Sequence, residues 1–168
     1  MTRDARGHHR QQLLEGLRRF IVAAQHIAGV RAIALLGSIT TAKPDPKDID
    51  VLIVVDDDAD LAALATASRR LQGHAQSRNC GADVFLANPR GIYIGRTCHW
   101  RDCRPGLRLA CDARHCGQRP YLHDDLDTVH LAESVVESPP LTLWPAIKRR
   151  GPLPPDLEEF IATLQHAV

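Results

Sequence analysis

Two aspartates separated by one residue, Asp48 and Asp50, open the apolar run Ile49-Asp-Val-Leu-Ile-Val-Val55. Gly37-Ser38 closes an earlier run, Ala32-Ile-Ala-Leu-Leu36, with nine residues between Ser38 and Asp48. On a strand, residues two apart share a face at about 6.5–7 Å, so Asp48 and Asp50 present their carboxylates side by side. Such a pair at the end of an apolar strand is electrostatically costly unless a cation or hydrogen-bond donors offset it. Mg²⁺ is the natural partner, since it takes oxygen ligands and is commonly held by one or two carboxylates plus substrate phosphates. Gly37 lets the backbone approach a phosphate, and the Ser-Ile-Thr-Thr that follows can begin a short helix whose free N–H groups bind an anion. A third acid, Asp83, lies near the start of another short apolar run, Ala82-Asp-Val-Phe-Leu86. Two metals can bridge an attacking oxygen and a leaving pyrophosphate, while one carboxylate takes the nucleophile's proton.

Gly37-Ser38, Asp48-x-Asp50 between hydrophobic residues and Asp83 in a later apolar strand resemble the motif set of the DNA polymerase beta-like nucleotidyltransferase superfamily, in its small, minimal members. The resemblance covers roughly residues 10–90. It implies that Asp48, Asp50 and Asp83 bind catalytic Mg²⁺ or Mn²⁺, with Asp83 as the candidate base. It further implies that Gly37 and Ser38 contact the triphosphate of an NTP such as ATP. Minimal members usually carry an arginine and a further glycine soon after the Gly-Ser pair, whereas this chain has Ile39-Thr-Thr-Ala-Lys-Pro-Asp-Pro-Lys47. Phosphate binding is therefore expected of Lys43 or Lys47. Pro44 and Pro46 limit any helix after Ser38 to a turn or two.

The elements that must position these residues follow from periodicity. Residues 32–36, 49–55 and 82–86 read as buried strands. Leu13, Leu14, Leu17, Ile21 and Ala24 or Gln25 recur at spacings of three and four, which predicts an amphipathic helix over 10–28 ending near Gly29. Asp58 or Asp60 can cap a second helix through about Leu71, and a last helix is expected near 156–166. Pro139-Pro140, Pro145, Pro152, Pro154 and Pro155 mark a poorly regular segment before it. The expected fold is α/β (α+β): a small mixed sheet flanked by helices, nucleotidyltransferase-like. The expected organisation is a core over 1–90, a Cys/Arg-rich loop over 91–120, and a helical, Pro-rich extension over 121–168 packed on the core.

Cys98, Cys103, Cys111 and Cys116 form a C-x4-C-x7-C-x4-C pattern that places four of the five cysteines within nineteen residues. Paired cysteines with a Pro105-Gly106 reversal between them can bring four thiolates around a tetrahedral Zn²⁺, with His115 or His99 as an alternative ligand. Four sulfurs leave no open position for water, so such a zinc is structural. Buried reduced cysteines and disulfides are the competing readings. Cys80 stands apart as a small core residue or a loop thiol. Arg96, Arg101, Arg104, Arg108, Arg114 and Arg119 on this loop could meet phosphates, and Tyr93 and Trp100 could stack on a base. The competing reading for the aromatics is cover over a small core. His123, Asp127 and His130 would share one face of a helix, read here as a solvated helix start with Asp124 or Asp125 near its positive end.

With 168 residues and 44% hydrophobic content, the chain can bury a real core. Lys plus Arg number 21 against 20 Asp plus Glu, so no global charge argues for nucleic acid. The distribution is uneven: residues 43–60 hold seven aspartates against two lysines, and residues 90–119 hold seven arginines against two aspartates. The charged start Met1-Thr-Arg-Asp-Ala-Arg-Gly-His-His-Arg10 lacks the apolar core of a secretory signal, and no uncharged apolar stretch reaches about 18 residues. A cytoplasmic protein without membrane contact is expected. The leading function is transfer of an NMP from an NTP to a hydroxyl of a small molecule, protein or RNA. The alternatives are an inactive, antitoxin-like regulator on the same fold and a zinc-containing RNA-binding module.

Overall fold

Leu13, Leu14, Leu17, Phe20, Ile21 and Ala24 are all buried, as a helical stripe at spacings of three and four requires. In the computed structural model, which describes residues 3–99, 119–123 and 125–165, they lie on α1 (Arg3–Ala24). The helix starts earlier than the apolar pattern does. Arg10 and His9 are drawn against the protein: Arg10 is 6% exposed, and His9 Nε2 sits 3.3 Å from the Cys80 thiol. It also stops before Gly29, because the chain must turn into the sheet there. Gly29 holds φ +81, and a Cβ on it would lie 2.5 Å from Ala59 Cα.

Among the described residues, α1 is followed by β1 (Val30–Leu36), β2 (Asp48–Val55), α2 (Leu61–Gln76), β3 (Gly81–Ala87), β4 (Tyr93–Thr97) and β5 (Leu122–His123). Then come α3 (Glu133–Glu137), β6 (Leu141–Trp144), β7 (Lys148–Arg149) and α4 (Pro155–Gln165). The strands form one mixed sheet in the order β5-β4-β3-β2-β1-β6-β7. β1 and β2 are antiparallel, while β2 and β3 are parallel and joined by α2 as the crossover. Asp60 caps α2 by accepting from Ala63 N at 3.0 Å. The helix runs past the expected Leu71 to Gln76, since its buried stripe continues at Gln72 and Ala75.

Two expectations are corrected by the sheet. The segment after residue 90 does not begin as a loop: Tyr93–Thr97 pairs antiparallel with β3. The Pro-rich stretch is not simply irregular either, because Leu141–Trp144 pairs with β1 between prolines that lie outside the strand. Leu141 and Leu143 are buried, and this burial selects the strand. The sheet thus draws its flanking strands from beyond residue 90. His123, Asp127 and His130 do not share a helix face. His123 belongs to β5, and a turn follows it in which Thr128 N and Val129 N both donate to Asp125 O.

Period-two alternation gives the sheet two different faces. Ile33, Leu35, Ile49, Val51, Ile53, Val84 and Leu86 are completely buried on one face, packed in a single core with α1, α2 and α4. At about 1.5–3 kcal/mol for each large apolar side chain, this face dominates the favourable side of folding. The other face carries a smaller cluster, Ala34, Leu36, Leu52 and Ala87, covered by Val136 of the short α3. No helix among the described residues is long and apolar enough to cross a membrane.

Candidate metal and phosphate site

Asp48, Asp50 and Asp83 all point to the lightly covered face, at the end where β2 and β3 begin. Asp50 and Asp83 are direct register partners across the parallel pair, and Asp48 stands opposite Gly81. β1 runs the other way, so Leu36 pairs with Asp50 and the chain leaves the sheet at Gly37-Ser38 beside the acids. The three acids and the Gly-Ser corner, separated by up to 46 positions in the chain, therefore meet at one end of the sheet.

Two glycines make room for the carboxylates. Gly37 holds φ +70, a backbone conformation that favours glycine, and a Cβ there would run into Asp50 Oδ2. A Cβ on Gly81 would lie 2.5 Å from Asp48 Oδ1. The space that Gly37 leaves is thus filled first by the Asp50 side chain.

The electrostatics of the acids diverge. Burial, then the negative charges of Asp83 and Asp48, push the Asp50 carboxyl up to about 6. Neither Asp48 nor Asp50 has a hydrogen-bond or ion-pair partner among the described residues, whereas Asp83 has two. His99 Nε2 lies 2.9 Å from Asp83 Oδ1, and Arg96 Nη1 lies 3.0 Å from the same oxygen. The hydrogen bond from His99, then the charges of His99 and Arg96, outweigh burial and hold Asp83 below the ordinary carboxylate range. Arg96 is itself braced by Asp125, a carboxylate with a 3% exposed side chain, through Nε to Oδ2 at 3.1 Å. Tyr93 donates its hydroxyl to Asp125 Oδ1 at 2.7 Å, and its ring tilts against Phe85. Tyr93 is therefore part of this packing rather than an exposed base-stacking platform.

The loop after the Gly-Ser corner is short and tied down. Ser38–Thr40 forms one 3-10 turn, in keeping with the prolines downstream, and Thr40 Oγ1 donates to Gly37 O at 2.7 Å. Arg10 donates from Nη2 to Ile39 O at 3.0 Å and from Nη1 to Lys43 O at 2.8 Å, while its Nε pairs with Asp156 Oδ2 of α4 at 2.5 Å. Lys43 is exposed. Lys47 is exposed too, but its Nζ pairs with Asp45 Oδ2 at 2.6 Å, leaving Lys43 the less engaged of the two expected phosphate ligands.

A magnesium ion held by two carboxylates and substrate phosphates suits the Asp48–Asp50 pair, whose mutual repulsion no cation among the described residues relieves by an ion pair. Among the described residues, no group of three or more His, Cys, Asp or Glu side chains is arranged to hold a metal ion, the expected triad of Asp48, Asp50 and Asp83 included. Cys98 is 1% exposed, packed with Ala65 and Tyr121, and Arg69 Nη2 donates to its sulfur at 2.9 Å. Cys103, Cys111, Cys116 and His115 lie outside the described residues, as do Trp100, Arg101, Arg104, Arg108 and Arg114. His99, the other alternative ligand, is engaged with Asp83. Arg119 donates to Ala59 O at 3.0 Å. Cys80 is a 6% exposed core residue, and burial raises its thiol pKa.

Sequence reasoning missed Arg10, His99 and Asp125 as parts of this end of the molecule and gave Arg96 to phosphate. The available signal was Arg96, the one charged residue in the strand Tyr93-Ile-Gly-Arg-Thr97, which calls for a buried partner.

A family described as a family of unknown function, DUF6932, matches residues 1–103. No curated protein and no solved structure matches the chain.

Proposed function

The chain belongs to that family of unknown function, and for this member we propose metal-dependent nucleotidyl transfer from an NTP to a hydroxyl acceptor. The observation that carries the reading is the pair Asp48 and Asp50, whose side chains have no partner among the described residues, set at one sheet end beside Gly37-Ser38, with the Asp50 carboxyl raised to about 6. Bound Mg²⁺ or Mn²⁺ on Asp48 and Asp50 supplies neutralisation of charge on the transferred phosphoryl group. Asp83, on the β3 side, accepts the proton of the acceptor hydroxyl as its oxygen bonds to the α-phosphorus and the bond to pyrophosphate breaks. For this, Asp83 must exchange its hydrogen bond from His99 for one from the acceptor. Ser38 and Lys43 meet the departing pyrophosphate.

The test is calorimetric titration of each of the four NTPs with Mg²⁺ into the wild type and into Asp48→Asn/Asp50→Asn. Binding that needs both the metal and the carboxylates supports the reading. Absence of binding to wild type, or full binding to the double variant, sinks it.

The hold of Arg96 and His99 on Asp83 favours a second reading, a fold that keeps its nucleotide site but has lost transfer and serves as an antitoxin-like regulator. That reading expects NTP binding with no release of pyrophosphate in the presence of any acceptor. A structural zinc on Cys98, Cys103, Cys111 and Cys116 is a separate proposal. About one zinc per chain in elemental analysis, lost when Cys103 and Cys111 are replaced by serine, is its test.

A further inference from the structure

On the same lightly covered face as Asp50, a slot of about 260 Å³ runs along β1 and β2. Its floor is Ala34 and Ala32 on β1 with Leu52 and Val54 on β2, and Val136 of α3 walls one side. Leu52 and Val54 follow Asp50 by two and four residues on one strand face, hence at about 7 and 13 Å from it along the strand. Ala34 and Leu52 are register partners, next on this face to the pair Leu36 and Asp50. The slot therefore starts one residue pair beyond the acids and extends away from them.

We propose that this slot receives the nucleobase of the NTP, an inference that rests on the nucleotidyl-transfer reading and adds where the nucleoside lies. The side of the sheet decides between donor and acceptor. Gly37-Ser38 ends β1, so a triphosphate held there leaves its nucleoside on the β1 side. The cover of α3 lies over both sides, since Ala34, Leu36, Leu52 and Ala87 form one cluster with Val136, and Phe85, Leu131 and Val135 pack against it. The two alanines in the floor leave depth for a flat ring, and the volume lies just under the roughly 300–1,000 Å³ of drug-sized pockets, enough for one heterocycle. Thr142, Glu137 and Lys148 line the slot as well. Their side chains have no hydrogen-bond or ion-pair partner among the described residues, so donors and acceptors stand ready for the edge of a base.

The experiment titrates each of the four NTPs, and inorganic tripolyphosphate, in Mg²⁺ into the wild type, Ala32→Leu and Val54→Phe. Both positions are half-buried, so the larger side chains extend into the slot, and thermal melting reports whether each variant is folded. We expect at least one NTP to bind the wild type about tenfold or more tighter than tripolyphosphate, a difference of about 1.4 kcal/mol. Each folded variant should lose that advantage while binding tripolyphosphate as before. Equal binding of NTPs and tripolyphosphate to wild type, or an advantage that persists in the folded variants, overturns the slot assignment and leaves the metal and phosphate site standing. Failure of wild type to bind either ligand overturns the nucleotidyl-transfer reading, and the slot assignment falls with it.

Discussion

Arg96 joins two carboxylates that face it from different elements: its Nε lies 3.1 Å from Asp125 Oδ2, and its Nη1 lies 3.0 Å from Asp83 Oδ1. Among the described residues, Asp125 has this guanidinium and the Tyr93 hydroxyl to offset burial of its charge. Arg96→Met should lower the unfolding free energy by about 3 kcal/mol, because it strands a buried carboxylate. Arg96→Met/Asp125→Asn should regain more than half of that loss, with Asn still accepting from Tyr93. Urea denaturation of both variants checks this, and a double variant no more stable than the single one refutes the charge argument.

Asp50 sets a pH dependence of the opposite sign to the usual carboxylate. Its folded pKa, about 6, lies above the ordinary 3.8, so the folded state binds the extra proton. Stability from this group is therefore greatest below the ordinary value and falls as pH rises from about 4 to 6. Asp83, lowered in the folded state, contributes stability above the ordinary value and loses it only at still more acid pH, so the two windows are separate. Asp50→Asn should stabilise the protein at pH 7–8 and have little effect near pH 4. Thermal melting across this range decides it, and a variant less stable than wild type at pH 8 contradicts the assignment.

The two glycines beside the acids should differ in their response to alanine. Gly37→Ala meets both a positive φ and the Asp50 carboxylate, and it should lose about 1–3 kcal/mol. Gly81→Ala meets only the end of the exposed Asp48 side chain, which can swing aside, and it should lose less than about 1 kcal/mol. Chemical denaturation gives both values, and equal losses would show that φ at Gly37 is not what matters.

Arg10 holds the loop after Ser38 by two backbone carbonyls and one carboxylate. Arg10→Met should lower stability by about 2–3 kcal/mol, by leaving Ile39 O and Lys43 O without their donor. Amide exchange across residues 39–45 should speed up more than exchange in α2. Uniform acceleration over the whole chain would mean that Arg10 supports the fold and not this loop in particular.

The sequence made legible those parts whose signal is local. Residues 32–36, 49–55 and 82–86 lie inside β1, β2 and β3, the Asp60 cap is in place, and the last helix is displaced by one residue. The three acids share an end of the sheet because period-two alternation and strand starts are written in adjacent residues. β4 was hidden because Tyr93-Ile-Gly-Arg-Thr97 mixes a charge with Gly95 at φ +126, pressed on His123 O. β6 was hidden by the prolines around it. Asp125 reads as part of a solvated helix start and Arg10 as one charge of a polar N-terminal segment, since nothing near them in the chain announces partners 29 and 146 residues away.

The Arg10 clamp also orders events during synthesis. β1 and the Gly37-Ser38 corner are made before their later partners: β1 waits for β6 to cover its second edge, and Arg10 waits for Asp156, 146 positions downstream. Closing so long a separation is slow compared with forming α1 or α2 locally. On a nascent chain, the corner beside the acids is thus made well before it can be locked. A ribosome-bound fragment that ends before α4 carries all three acids without the brace that sets their neighbouring loop.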